Sequence, residues 1–370
     1  MQSEIYKMMV NENMLTITLE AICDSFSSLL WDIEYYSCGA FEVYIAANPQ
    51  NIGIFQTGRI VGRDDDKGHF GLIESVKIET DAEDGDYLIV SGRFLMCLLE
   101  RRIIYPTLSF TAQRTYAEIV QTAVTNNAIN AENRTIPGLS LGTVFGDCWE
   151  QKTKLQVSYS NLMEWIYTIC EKIGGTANIR LSKVNCEQYE MLLDLSEGTD
   201  RSILQNENPH IIFSDGYTNL LSFSYSSDIS VQRNFAYIFG KGEGDERKRT
   251  TYCDGDESSF LERYEVYVDA KDMADEQQEN GESKPISEDE YIELLKERGK
   301  EKIVLPLIAS ESQIAVQSTQ FRYNTDYFVG YYVTVEHQRF GLIQPKIQMI
   351  GMIESFDQNG RSLTPTFKEE

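Results

Sequence analysis

The sequence predicts an α+β chain that is mainly β, with two small β-barrel domains and a helical insertion between them. Three observations carry this prediction. Short segments at both ends of the 370-residue chain alternate apolar and polar residues with period two. Tyr and Phe are plentiful, 21 and 17, and both favour sheet. Between the β-rich ends the apolar spacing changes to that of helices. A chain of 370 residues exceeds one typical domain. The expected division is a first barrel over 1–110, a mostly helical insertion over 111–185, a β-rich segment with an acidic loop (243–285) and a helix over 186–303, and strands completing the second barrel over 304–370.

The elements follow in order. Met14 to Leu19, Phe41 to Ala46, Leu72 to Glu79 and Tyr87 to Val90 alternate as half-buried strands do. Turn signals separate them at Asn48-Pro49, at Gly85 and along the polar stretch Arg63 to Gly68. Thr111 to Ile129 carries helical spacing in Tyr116, Ile119, Val120, Ala123 and Val124. Asn161 is placed to cap a helix through Ile173, with Glu164 as capping partner and Gly174-Gly175 as the stop. Strands return at Glu190 to Leu195 and Phe235 to Phe239. The acidic stretch 243–285 is expected to be an extended hairpin or mobile loop. Ser287-Glu288-Asp289-Glu290 is a capping box that starts a helix to about Lys302, and Val304 to Phe367 is strand-rich. A short echo links Gly58-Arg59-Ile60-Val61 with Gly71-Leu72-Ile73 to Gly330-Tyr331-Tyr332-Val333 with Gly341-Leu342-Ile343.

The formal net charge is -25. Such a chain lacks the basic surface that phosphate backbones and anionic membranes require. Between Asp254 and Glu290, 14 residues are acidic and 3 basic, so part of the charge belongs to one segment. No stretch is long and apolar enough to span a membrane, and the N-terminal residues do not form a secretion signal. The seven cysteines are scattered, with no pair at zinc-ligand spacing, and are expected to be reduced thiols of a protein made in a cytosol.

No catalytic constellation emerges. His69, His210 and His337 are the only histidines, and none has the flanks of a nucleophilic triad. Asp64-Asp65-Asp66-Lys67-Gly68 lacks calcium-loop spacing and is expected to be a solvated hairpin tip. Gly240-Lys241-Gly242-Glu243-Gly244 fits no phosphate-binding pattern and is expected to be a turn between strands. No catalytic residue, metal ligand or cofactor site is therefore assigned. One stretch stands apart: the apolar run Phe94 to Leu99, expected to be a buried helix, ends in Glu100-Arg101-Arg102. Arg101 and Arg102 have two readings. They complement a helix C-terminus, or they bridge to an acidic neighbouring subunit.

Five stretches occur in a familiar order: Leu98 to Ile104; Ser160 to Ile166; Leu195 to Ser202; Phe213 to Leu220; and Arg233 to Gly244 with Arg247 close behind. Together they resemble the siphovirus-type tail protein family whose members act as the hub of the tail tip, similar to the trimeric baseplate hub of contractile tails. The resemblance runs from about residue 30 onward. It implies a structural virion protein made in a bacterial cytoplasm and placed at the tail tip. It implies two barrel domains per subunit and a homotrimer that continues the tail tube. The implied partners are the tail tube and distal tail or fibre proteins, with DNA passing through unbound and no membrane insertion. Arg101 and Arg102 then become candidate subunit-interface residues. The competing class is a tail-associated cell-wall hydrolase. No stretch after the last expected strand matches a peptidoglycan-cleaving or fibre domain, so those activities are expected of partner proteins.

Overall fold

The computed structural model describes residues 3–11, 14–81, 85–185, 188–255, 261–279, 282–304, 307–314 and 320–368. Alternation becomes pleat along the first third of the chain. Strands β1 (Ser3–Asn11), β2 (Met14–Cys23), β3 (Phe26–Glu34) and β4 (Ala40–Ala46) open it. On β3 the period of two sends Leu29, Trp31 and Ile33 into the core and leaves Leu30, Asp32 and Glu34 on the other face. The expected turn at Asn48-Pro49 is a helix start: Asn48 caps α1 (Pro49–Ile54) by accepting from the Asn51 N–H at 2.8 Å. Then come β5 (Ile60–Arg63), β6 (Asp66–Asp81), β7 (Gly85–Phe94) and the short α2 (Cys97–Glu100). His69 lies within β6 rather than in a loop.

The segment expected to be mostly helical is mixed. It holds β8 (Leu108–Thr115), α3 (Tyr116–Val124), β9 (Leu139–Val144), β10 (Lys152–Val157), α4 (Leu162–Ile173) and β11 (Gly175–Lys183), and β12 (Tyr189–Glu197) follows. The physical reason is burial. Ala177, Ile179 and Leu181 alternate along β11 and join Ile166, Ile169 and Cys170 of α4 in one core, covering apolar stripes that two helices alone would leave wet. Asn161 caps α4 by accepting from Met163 and Glu164 N–H, and Gly174 closes it with φ +75°.

The last part contains β13 (Ile212–Ser214), β14 (Leu220–Asp228), β15 (Phe235–Phe239), β16 (Arg249–Cys253), β17 (Glu265–Asp269), β18 (Glu276–Glu279), β19 (Glu282–Pro285), α5 (Glu288–Lys300), β20 (Leu307–Ile314), β21 (Tyr332–His337), β22 (Leu342–Asp357) and β23 (Gly360–Lys368). β14 and β20 pair antiparallel, and the stretch between them is closed at its neck by reciprocal backbone bonds, Arg233 to Val304 and back, each 2.8 Å. That stretch has its own core of Ala236, Ile238, Val268, Tyr291, Leu294 and Leu295. The acidic stretch 243–285, expected as an extended hairpin or mobile loop, includes β16, β17 and the β18–β19 hairpin; its residues 256–260 and 280–281 lie outside the described residues.

The two expected barrels are corrected to one open sheet of 13 strands. Its order is β14-β20-β23-β22-β3-β4-β7-β6-β5-β1-β2, with β13 and β21 joining beside β22. β22 is the reason. It is 16 residues long, so one edge pairs first with β21 and then with β3, fusing the two ends of the chain. A three-strand unit is built twice, although the echoed glycine-led segments are out of register: Leu72 pairs with Ile60 inside β6, whereas Leu342 opens β22 and pairs with His337. β5–β6–β7 and β21–β22–β23 each carry a 16-residue middle strand. Each is preceded by a positive-φ glycine, Gly58 at +84° and Gly330 at +96°. Each middle strand shifts register near its centre, at Ile73/Ser75 and at Met349/Gly351.

The apolar run crosses between two cores. Phe94 packs with Trp31, Phe41 and Val90, whereas Leu95 to Leu99 pack with α3 and α4. Only Cys97–Glu100 of this stretch is helical. Among the described residues no helix is long and apolar enough to cross a membrane.

Candidate protein interface

The structure places Arg101 and Arg102 where the apolar run emerges. Arg101 is exposed, and no partner for its side chain occurs among the described residues. Arg102 donates through Nε to the Arg134 carbonyl at 2.6 Å and through Nη1 to the Arg101 carbonyl at 3.0 Å. Arg134 turns back toward the same loop, donating to the carbonyls of Tyr105 at 3.1 Å and of Ile103, and to Asn127 Oδ1. Two guanidinium groups, those of Arg102 and Arg134, therefore take carbonyls and an amide oxygen rather than carboxylates as partners, with Arg101 beside them. Partial burial and then the charges of Arg134 and Arg101 push the Arg102 pKa down, although it stays charged at any ordinary pH.

Helix capping does not explain the arginines. α2 has four residues, and Asn161 Nδ2 donates to the Glu100 carbonyl at 2.7 Å. Beside the arginines lie three apolar side chains in water: Ile103 is 50% exposed, Tyr105 56% and Tyr159 62%. The two tyrosine rings are 6.2 Å apart. Tyr159 is held at φ +56°, a left-handed conformation that costs roughly 1–3 kcal/mol for a bulky residue. The Ile104 backbone fixes it by accepting from Tyr159 and donating to Ser160, both at 2.9 Å.

An acidic surface lies on the outer face of β3 and β4. Asp32, Glu34 and Glu42 share that face, since Leu30 pairs with Glu42 and Asp32 with Ala40. No hydrogen-bond or ion-pair partner for these carboxylates occurs among the described residues, and Asp32 Oδ1 is buried without one. Burial, and then the Asp32 charge, raise Glu34 from 4.5 to about 7. Because the folded pKa lies above the unfolded one, the folded chain holds this proton more tightly, and stability falls as pH rises from about 4.5 through 7. Glu34→Gln therefore stabilises the chain at pH 8 relative to pH 5, by about 1–2 kcal/mol after allowing for solvent screening. Urea denaturation at the two pH values measures this; an equal effect at both contradicts it.

Glu34, Tyr35, His69, Phe94, Asn178 and Tyr323 line a cavity of about 220 Å³. His69 is held by Asp66 at 2.9 Å, His210 by the Gln205 carbonyl at 2.8 Å, and His337 lies 3.4 Å from Asp215. No group of three or more metal-ligating side chains occurs among the described residues. The Asp64–Gly68 tip is only partly solvated, because Asp66 turns inward to accept from Trp31 Nε1 at 3.0 Å.

The sequence singles out Arg101 and Arg102; the fold adds Arg134, Tyr105 and Tyr159 beside them and sets Asp32, Glu34 and Glu42 on one face of β3 and β4. Arg134 is 32 residues from Arg102 and carries no local signal. The alternation Trp31-Asp32-Ile33-Glu34, which puts both carboxylates on the face away from the core, was the signal for the acidic face.

Three solved structures share this fold along nearly their whole length. A tail protein from Neisseria meningitidis MC58 is 12% identical with a TM-score of 0.60, covering 100% of this chain and 97% of that one. The 43 kDa tail protein of prophage MuSo2 from Shewanella oneidensis is 11% identical with a TM-score of 0.56, covering 99% and 98%. Prophage tail protein gp18 from Listeria monocytogenes EGD-e is 12% identical with a TM-score of 0.52, covering 99% and 94%. No curated protein matches the chain in sequence. The family described as Siphovirus ReqiPepy6 Gp37-like protein matches residues 8–367, so nearly every element described above falls inside it, and the chain belongs to this family of phage tail proteins.

Proposed function

We propose that the chain is the hub of a phage or prophage tail tip, assembled as a homotrimeric ring that continues the tail tube and anchors distal tail proteins. The observation that carries this reading is the three-strand unit built twice within one chain. Three copies then bring six such units around one axis, matching a hexameric tube. The net charge of -25 fits the same role. Carboxylates facing a lumen repel DNA phosphates over about 8 Å at physiological salt, so DNA slides without sticking.

Electron microscopy of particles made without this chain tests the role. The expected result is heads lacking tails, or tails without a tip. Complete tails with a normal tip contradict it. Zymography of the purified chain on peptidoglycan is expected to show no clearing, and a clear band would favour a hydrolase instead.

A further inference from the structure

We infer that Arg101, Arg102 and Arg134, with exposed Ile103, Tyr105 and Tyr159, form one half of a contact between copies of this chain, and that the acidic outer face of β3 and β4 forms the other half. The inference rests on the proposal that copies assemble side by side, and it names the surfaces that meet.

Four observations converge on the arginine surface. In a chain of 58 acidic and 33 basic residues, three clustered arginines have no carboxylate partner among the described residues. Elsewhere arginines typically hold carboxylates, as Arg59 does Glu20, Arg93 does Glu74, and Arg298 does Asp272. Three apolar side chains stand in water beside the cluster. Tyr159 keeps a strained backbone that presents its ring outward. Tyrosine and arginine are the residue types that concentrate binding energy at the centre of protein interfaces.

The acidic surface is its complement. Asp32, Glu34 and Glu42 equally have no partner among the described residues, so unmatched carboxyl groups answer unmatched guanidinium groups on the same chain. Asp32 Oδ1 is a buried acceptor without a donor, a costly state that an incoming guanidinium relieves. Leu30, 40% exposed, lies directly opposite Glu42 and offers apolar surface to the tyrosines. An open groove lined by Leu30, Ala40, Glu42, Glu74, Ser91 and Arg93 runs along this face. The arginine cluster cannot meet itself across a two-fold axis, because like charges would be pressed together. A second copy presenting its acidic face satisfies both surfaces.

Analytical ultracentrifugation of the full chain at 50 mM and 500 mM salt tests the contact. The wild-type chain is expected to self-associate at 50 mM salt and to dissociate toward monomer at 500 mM. Arg101→Glu weakens the association at least about tenfold, and Glu42→Lys does likewise. The Arg101 side chain makes no hydrogen bond or close ion pair among the described residues and only a through-space attraction to Glu100, so its variant shifts the thermal midpoint little. Combining Arg101→Glu with Glu42→Lys in one chain restores association. A wild-type chain that stays monomeric at 50 mM salt overturns the contact, while family membership stands. Association that survives Arg101→Glu overturns the arginine half, while assembly of copies stands. Failure of the combined variant to recover overturns the acidic half.

Discussion

Arg63→Met lowers the stability of the chain by about 3–5 kcal/mol, because it leaves a charge buried without its partner. Arg63 and Glu354 are both fully buried, and Nη1 meets Oε1 at 3.0 Å across 291 residues of sequence. Nη2 also reaches Asp65 at 2.8 Å, and the guanidinium lies over the rings of Trp31 and Phe356, 5.5 and 4.8 Å from their centroids. Burial alone would lower the Arg63 pKa, but the hydrogen bonds it donates to Asp65 and the Glu354 charge outweigh it and raise it. Without Arg63, Glu354 keeps among the described residues only its bond to Arg361, whose side chain is partly exposed. The expected result in urea is a fall in midpoint. Arg63→Met combined with Glu354→Leu should recover much of the loss, since removing both charges also removes the desolvation cost. A single variant as stable as the wild type would show that the pair is not buried as described.

Trp149→Ala costs about 3–5 kcal/mol, and the damage is local. Trp149 is fully buried in the core that joins α3, α4 and β11. Its Nε1 donates to the Ser196 carbonyl at 3.0 Å. A Cβ on Gly175 would sit 2.9 Å from its ring, so glycine there permits the close approach. Removing the indole leaves a cavity and an unpaired carbonyl together. Amide hydrogen exchange should rise in α3, α4 and β11 before it rises in β3 and β22, which pack in the other core. A uniform rise over the whole chain would contradict two separable cores.

The two variants probe features of unequal visibility in the sequence. The caps at Asn161 and Ser287 were legible, because capping chemistry acts within three residues. Strands β2, β4, β6 and β7 were legible by alternation. The apolar run Phe94 to Leu99 announced burial, yet not that it passes from one core to the other. The Asp64–Gly68 tip looked solvated, and the inward turn of Asp66 depends on Trp31, 35 residues away. The fusion of the two ends through β22 and β3 is a long-range pairing with no local mark. The glycine-led echo hinted at repetition but not at its register, because Leu72 lies inside β6 opposite Ile60 while Leu342 opens β22 opposite His337. The arginine pair was visible by its incongruity in an acidic chain, whereas Arg134 and the acidic face depended on folding to meet their neighbours.

Cryo-electron microscopy of intact particles tests the hub most directly. The density expected is three copies of this chain in a closed ring at the distal end of the tail tube, around a lumen lined by carboxylates. Copies distributed along the tube, a stoichiometry other than three at the tip, or a basic or apolar lumen would contradict it.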